Sequence, residues 1–202
     1  VTAEPAWVGG PVDSGPVGGV VVGGAELPVR RRRGGDSSSD LDRAVDAAVL
    51  RRCTGPTVVL GCGPGRLTAA LAARGVAALG VDSSAVAVRT TVARGGLALQ
   101  RDLFGPLPGH GRWAHVLLAE GTIGIGGDPL RVLRRAAELL APDGVVVVEL
   151  EDTGPTLVER VGLDGVGALA AAAGLVLLET TVVHEHAVVV LGVRPAEERS
   201  RA

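Results

Sequence analysis

The chain has no lysine, no methionine and no tyrosine, and only 1% of its 202 residues are aromatic. Without lysine there is no Walker A phosphate loop, whose lysine reaches the terminal phosphates of a nucleotide. Without tyrosine or lysine the chain also lacks an obvious proton donor for a nicotinamide-dependent oxidoreductase. With so few rings, the core of a chain that is 47% hydrophobic must consist of Val, Leu and Ala. Cysteine is scarce too: Cys53 and Cys62 form no CxxC or zinc-ligand pattern, and a reduced, cytoplasmic setting is expected. No apolar run reaches the roughly 18 residues that a membrane-spanning helix needs. The longest, Val166 to Leu178, suits a buried helix followed by a strand. Arg30 to Arg33 lead into Gly34, Gly35 and Asp36 rather than an apolar stretch, so neither a general secretory nor a twin-arginine signal is expected. A formal net charge of −2 gives no global attraction to nucleic acid or to an anionic membrane.

What the chain has in abundance is glycine, 31 residues. The informative cluster lies between Thr57 and Ser84: an apolar run (Val58, Val59, Leu60), then Gly61-Cys62-Gly63-Pro64-Gly65, an Ala/Leu segment, then Gly80-Val81-Asp82. In order these read as strand, tight turn, helix, strand and acid. The chain must reverse sharply from strand into helix and bring bare backbone against a ligand, which residues without Cβ permit. An acid at the tip of the next strand, about 20 residues on, is placed to accept hydrogen bonds from a ribose diol. An adenosine-like cofactor is expected. The dinucleotide fingerprint wants glycine at the first, third and sixth positions; Gly61 and Gly63 comply, but Arg66 holds the sixth place and the third glycine is Gly65. Cys62, inside the turn, reads as a small filler rather than a nucleophile.

Strand and helix signals alternate along the chain. Residues 1–39, rich in Gly, Pro and Val, read as a flexible tail. Within it, Trp7 and the arginine run read as loosely packed or solvated. The domain is expected over residues 40–194, with 195–202 as a second tail. It opens with a helix from Asp40 to about Arg52. Strands are predicted at Thr57–Leu60, Ala77–Val81, Leu97–Gln100, His115–Ala119 and Val145–Leu150. Helices start near Arg66, after Ser83 or Ser84, and at Asp128-Pro129, the last with an apolar stripe of Leu130, Leu133, Ala137 and Leu140. A helix over Leu163–Ala173 precedes two strands, Leu175–Val183 and Ala187–Val193, joined around His184-Glu185-His186. Repeated strand–helix units build a parallel α/β sheet through right-handed crossovers.

The G-x-G-x-G turn followed by Gly80-Val81-Asp82 resembles motif I and the ribose-binding acid of class I S-adenosylmethionine-dependent methyltransferases. The stretch from Leu117 to Pro129 is similar to a loop found in a subgroup of bacterial members; the resemblance covers about Asp40 to Glu151. It implies a Rossmann-like, mostly parallel seven-stranded sheet ending in an antiparallel hairpin, and S-adenosyl-L-methionine as cofactor; a small-molecule acceptor is expected, its identity left open.

On this resemblance Gly61, Cys62, Gly63 and Gly65 admit the methionine part of the cofactor, whose carboxylate is favoured by the positive end of the following helix. Asp82, with Ser83 beside it, meets the ribose. Asp102 meets the adenine amino group, with Leu103 beside the ring. One position departs from the family: Val59 stands where an acid usually supports the methionine end. Glu120, at the end of the fourth strand, is the candidate to replace that acid or to act as general base, with Thr122 next to it. Val59 equally motivates a rival reading, a non-catalytic cofactor-binding protein; a nicotinamide oxidoreductase is the lesser rival. His110 and His115 flank Trp113 and are candidates to approach a substrate. His184 and His186 read as a polar turn rather than metal ligands.

Overall fold

The computed structural model describes residues 17–22, 25–29, 40–151, 157–183 and 186–193. Its strands are β1 (Val17–Val22), β2 (Ala25–Val29), β3 (Thr57–Leu60), β4 (Ala78–Asp82), β5 (Leu97–Gln100), β6 (Trp113–Leu118), β7 (Leu140–Glu151), β8 (Leu175–Val183) and β9 (His186–Val193). Its helices are α1 (Asp40–Arg52), α2 (Arg66–Ala73), α3 (Ala85–Ala93), α4 (Pro129–Leu139) and α5 (Leu157–Ala172), with a short 3-10 segment over Thr122–Gly127. None of the described helices is long and apolar enough to cross a membrane.

Seven strands form one sheet in the order β5-β4-β3-β6-β7-β9-β8. The five strands from β5 to β7 run parallel, and β9 and β8 add antiparallel. Such a sheet is covered on both faces, so its strands read as near-continuous Val/Leu runs. The alternation of side chains sorts them into two cores. Val58, Leu60, Val116, Leu118, Val146, Val148, Val189 and Leu191 face one way, with Val132, Leu133, Ala136 and Leu139 of α4. Val59, Leu117, Val147 and Val188 face the other way, with Ala48 and Val49 of α1 and Leu67 and Leu71 of α2. Each fully buried Val or Leu contributes about 1.5–3 kcal/mol. Arg52, at the end of α1, reaches Glu179 and, at 2.6 Å, the Thr181 hydroxyl, tying that helix to β8.

Several boundaries differ from the sequence expectation. Within residues 1–39, expected as a tail, β1 and β2 pair antiparallel; the valines of this stretch favour a strand. Trp7 and the arginine run lie outside the described residues. The stripe of α4 is centred on Val132, Leu133, Ala136 and Leu139, with Leu130 and Ala137 only partly buried. Leu140 already belongs to β7 and pairs with Trp113, after which the register jumps so that His115 faces Val145. The jump brings backbone against Gly144, where a Cβ would lie 2.7 Å from the Trp113 carbonyl oxygen. The last helix begins at Leu157 rather than Leu163, and residues 152–156 after β7 lie outside the described residues.

Candidate functional site

The sheet order reverses at β3, because β4 lies to one side of it and β6 to the other. The crevice beyond the carboxyl ends of β3 and β6 is where an open α/β sheet binds its ligand. The glycine turn after β3 and Glu120 after β6 both open onto it.

The glycines of the turn have different tasks. A Cβ on Gly61 would lie 2.8 Å from Ile125 Cδ1 and from Thr122 Cγ2, so the 3-10 segment rests on this residue. A Cβ on Gly65 would fall 2.3 Å from the Thr91 hydroxyl, so α3 occupies that space. Gly63 is different: at φ +52° its Cβ would meet nothing within 4 Å. It is the glycine that turns bare backbone to open space. Thr91, fully buried, holds the turn from behind by donating to the Gly63 carbonyl at 3.1 Å. Cys62 is the filler expected: its backbone N–H donates to Val81 and its carbonyl accepts from Gly65, while its sulfur sits where a Cβ on Gly80 would be, 2.7 Å away. Burial pushes its thiol upward.

Asp82 ends β4 with its carboxylate against the turn. Oδ2 accepts the Gly63 backbone N–H at 2.9 Å and Oδ1 that of Ser84 at 2.8 Å. An ionised carboxylate offers about four acceptor positions, so each oxygen keeps one for a diol hydroxyl. Ser84, not Ser83, caps α3, accepting from Ala87 at 3.3 Å; Ser83 is exposed and its carbonyl accepts from Gln100.

Beyond β5, Asp102 is exposed and accepts the Phe104 N–H at 3.0 Å. Leu103 does not lie open for a ring: its side chain is 6% exposed within the core, and Arg135 draws its carbonyl toward α4 at 2.8 Å. Phe104 is the half-buried neighbour, with the Arg131 guanidinium 3.8 Å from its ring centre.

Glu120 is held in two ways. Arg66 donates to its Oε1 at 2.6 Å while its other nitrogen pairs with Asp46 of α1. The Glu120 backbone N–H donates to Oε2 of Glu149 at 3.3 Å, and Glu149 Oε1 lies 3.4 Å from His186 Nδ1. Glu149 and His186 are buried, 2% and 7% exposed. Arg66, Asp46, Glu149 and His186 were missed as site residues. A signal for Glu149 existed, since it continues the alternation of Val145 and Val147 and so must point inward from a valine run. Val59, in the position expected of an acid, is packed in the core 3% exposed. Thr122 is buried over Gly61.

His115 lies near the start of its strand, as read from the sequence, whereas His186 departs from the expectation. His115 pairs with Thr57 at the amino ends of the strands, a strand's length from the turn, because the parallel register of β3 and β6 puts it there. His110 is exposed. His186 begins β9 rather than forming part of a turn; His184 and Glu185 are outside the described residues.

The donor set suits S-adenosylmethionine. Open backbone at Gly63, a carboxylate with acceptor capacity at Asp82, and an α2 N-terminus that no side chain caps and no acid of its first turn neutralises suit a methionine chain that ends in a sulfonium, a ribose diol and a carboxylate. A family model described as a methyltransferase domain matches residues 38–176. No curated protein is matched by sequence. Among solved structures, the chain is similar to a SAM-dependent methyltransferase from Thermotoga maritima, with 17% identity and TM-score 0.60, covering 76% of this chain and 91% of that one. It is similar to 1,6-didemethyltoxoflavin-N1-methyltransferase of Burkholderia thailandensis, crystallised with 1,6-didemethyltoxoflavin and S-adenosylhomocysteine, at 19% identity and TM-score 0.61 over 77% of this chain and 79% of that one. An O-methyltransferase from neocarzinostatin biosynthesis, with S-adenosylhomocysteine and 1,4-dihydroxy-2-naphthoic acid, gives 21% identity and TM-score 0.61 over 77% and 54%. At these identities the likeness is one of fold, whereas the family model spans more than half of the chain. The chain therefore belongs to the class I S-adenosylmethionine-dependent methyltransferases.

Proposed function

We propose that this methyltransferase acts on a small-molecule acceptor in a cytoplasmic setting, with residues 40–194 as the catalytic domain and residues 1–39 and 195–202 as tails. The absence of net positive charge argues against a nucleic-acid substrate. The two relatives crystallised with acceptors hold small molecules, which supports the reading.

The observation that carries the site assignment is the Asp82 carboxylate braced against the one turn glycine that faces open space. In this reading Asp82 takes the ribose hydroxyls, with Ser83 beside it. Gly61, Cys62, Gly63 and Gly65 shape the passage for the methionine part, and Asp102 takes the adenine amino group. Leu103 supports the ring pocket from within the core. Glu120 is the anchor of the methionine end, standing in for the acid absent at Val59. Arg66 holds one of its two carboxylate oxygens, which gives the side chain the fixed direction that an anchor needs. The bound sulfonium supplies an activated methyl group. The chain's own contribution is to fix its direction and exclude water, an orientation effect of roughly 7–11 kcal/mol in ideal cases.

Calorimetry with S-adenosylhomocysteine and with NAD tests the assignment. S-adenosylhomocysteine should bind and stabilise the fold, by about 2.7 kcal/mol at 100-fold over its dissociation constant; binding of NAD alone would refute the reading. Glu120→Gln separates its two roles. An anchor loses about tenfold in S-adenosylhomocysteine affinity, whereas a base keeps affinity and loses about 10²–10⁴ in turnover.

A further inference from the structure

A carboxylate inside a valine-lined sheet is a costly thing to keep. Among the described residues Glu149 is the only acid buried to this depth, 2% exposed. It lies on β7, on the face shared with Val147 and Val188. It touches the backbone of Glu120, through Oε2 at 3.3 Å. Glu120, in turn, is the one described residue other than glycine with a positive φ, +55°. An L-residue in that region is disfavoured by about 1 kcal/mol or more and persists only where its surroundings hold it. Two groups hold this one: Arg66 grips the side chain, and Glu149 accepts the backbone N–H.

The other oxygen of Glu149 faces His186. The antiparallel register sets Glu149 opposite Val188, so His186, two residues away, falls on the same face and brings Nδ1 to 3.4 Å from Oε1. The three strands β6, β7 and β9 thus meet at one point through Glu120, Glu149 and His186, at the carboxyl end of β6 where the site opens.

We propose that Glu149 is a positioning residue of this enzyme: by accepting the Glu120 N–H, and itself oriented by His186, it locks Glu120 in the left-handed conformation that directs its carboxylate to Arg66 and the cofactor crevice. Its buried carboxyl group serves the aim of a side chain just beyond the neighbouring strand. The consequence for cofactor affinity rests on the anchoring role proposed for Glu120; the consequence for the Glu120 backbone does not.

Amide hydrogen exchange followed by NMR on the ligand-free protein reads the backbone arm directly. In the unmodified chain the Glu120 amide should exchange at least about tenfold more slowly than an unstructured amide. Glu149→Leu, which keeps the volume and removes the acceptor, should speed that amide by about tenfold or more while Val58 and Leu117 on the inner strands stay protected. Glu149→Gln retains an acceptor oxygen and should restore the slow rate. S-adenosylhomocysteine affinity should fall about tenfold in Glu149→Leu and recover in Glu149→Gln. Unchanged protection of Glu120 in Glu149→Leu overturns the proposal. Should that variant fail to fold, a Glu120 amide exchanging at the unstructured rate in the unmodified chain overturns it equally. A faster amide with unchanged affinity upholds the positioning and removes Glu120 from cofactor binding.

Discussion

Oδ2 of Asp82 accepts the backbone N–H of Gly63 at 2.9 Å, so the acid proposed to meet the ribose also clamps the glycine turn. Asp82→Ala removes both functions. Two backbone N–H groups lose a charged acceptor, and about 1–3 kcal/mol of stability should go with them. S-adenosylhomocysteine affinity should fall by more than the tenfold expected for a lost ribose contact. Urea unfolding beside calorimetry checks both; a variant with full stability would show that the clamp contributes nothing.

Gly63 and Gly65 should separate binding from folding. Gly63→Ala meets no atom of the protein, so its cost to the fold is the positive φ alone, about 1 kcal/mol. It places a methyl group in the cofactor's path and should abolish S-adenosylhomocysteine binding. Gly65→Ala drives a carbon to 2.3 Å from the Thr91 hydroxyl and should destabilise the fold by a further 1–3 kcal/mol or so. Melting curves and calorimetry on the pair check this, and equal loss of stability in both would contradict it.

His115 should make stability depend on pH. Burial holds its imidazole below the usual value of 6.5, with the Gly55 backbone pulling partly the other way. The folded chain therefore binds the proton less readily than the unfolded one, and the unfolded state gains protons first as the pH drops. The contribution is complete above about pH 6.5 and is lost as the pH falls from there toward the depressed folded value. Urea midpoints measured between about pH 7.5 and 5.5 should decline more steeply for the native chain than for His115→Gln; parallel curves would refute the assignment.

Neither thiol should react while the fold is intact. Burial pushes Cys53 up to about 12, against smaller opposing effects of Thr57 and Arg52, and raises Cys62 as well. The reactive species is the thiolate. An aromatic disulfide reagent at about pH 8 should titrate no thiol in the native protein and both of the free cysteines after unfolding. Rapid native labelling at Cys62 would show that the glycine turn opens.

The strand, glycine turn, helix and second strand from Thr57 to Asp82 were legible in the sequence, because their signals are local. Gly61 to Gly65, the following Ala/Leu helix and Asp82 lie within some two dozen residues, and strand, turn and helix each carry their own chemistry. The methionine end was only half legible. Glu120 stood out by its place after a strand, but Arg66 reaches it, and Asp46 reaches Arg66, across a sheet order that no local pattern states. His186 looked like a turn residue beside two polar neighbours, and its burial follows from pairing with β7. Leu103 read as a ring contact from its place in a motif, whereas its apolar side chain finds better cover in the core. The hairpin of β1 and β2 was hidden by glycine and proline, whose frequency signals irregular chain more strongly than a few valines signal strand.

The close approach of α3 to the turn has an evolutionary meaning. Since a Cβ at position 65 and the side chain of Thr91 claim the same space, neither residue is free to drift alone. A larger residue at 65, already strained at φ +79°, finds room only after Thr91 shrinks, and a Thr91 that shrinks first gives up its hydrogen bond to the Gly63 carbonyl. The path between the two combinations runs through a damaged intermediate in either order. A library built to alter the methionine pocket should therefore randomise positions 65 and 91 as a pair.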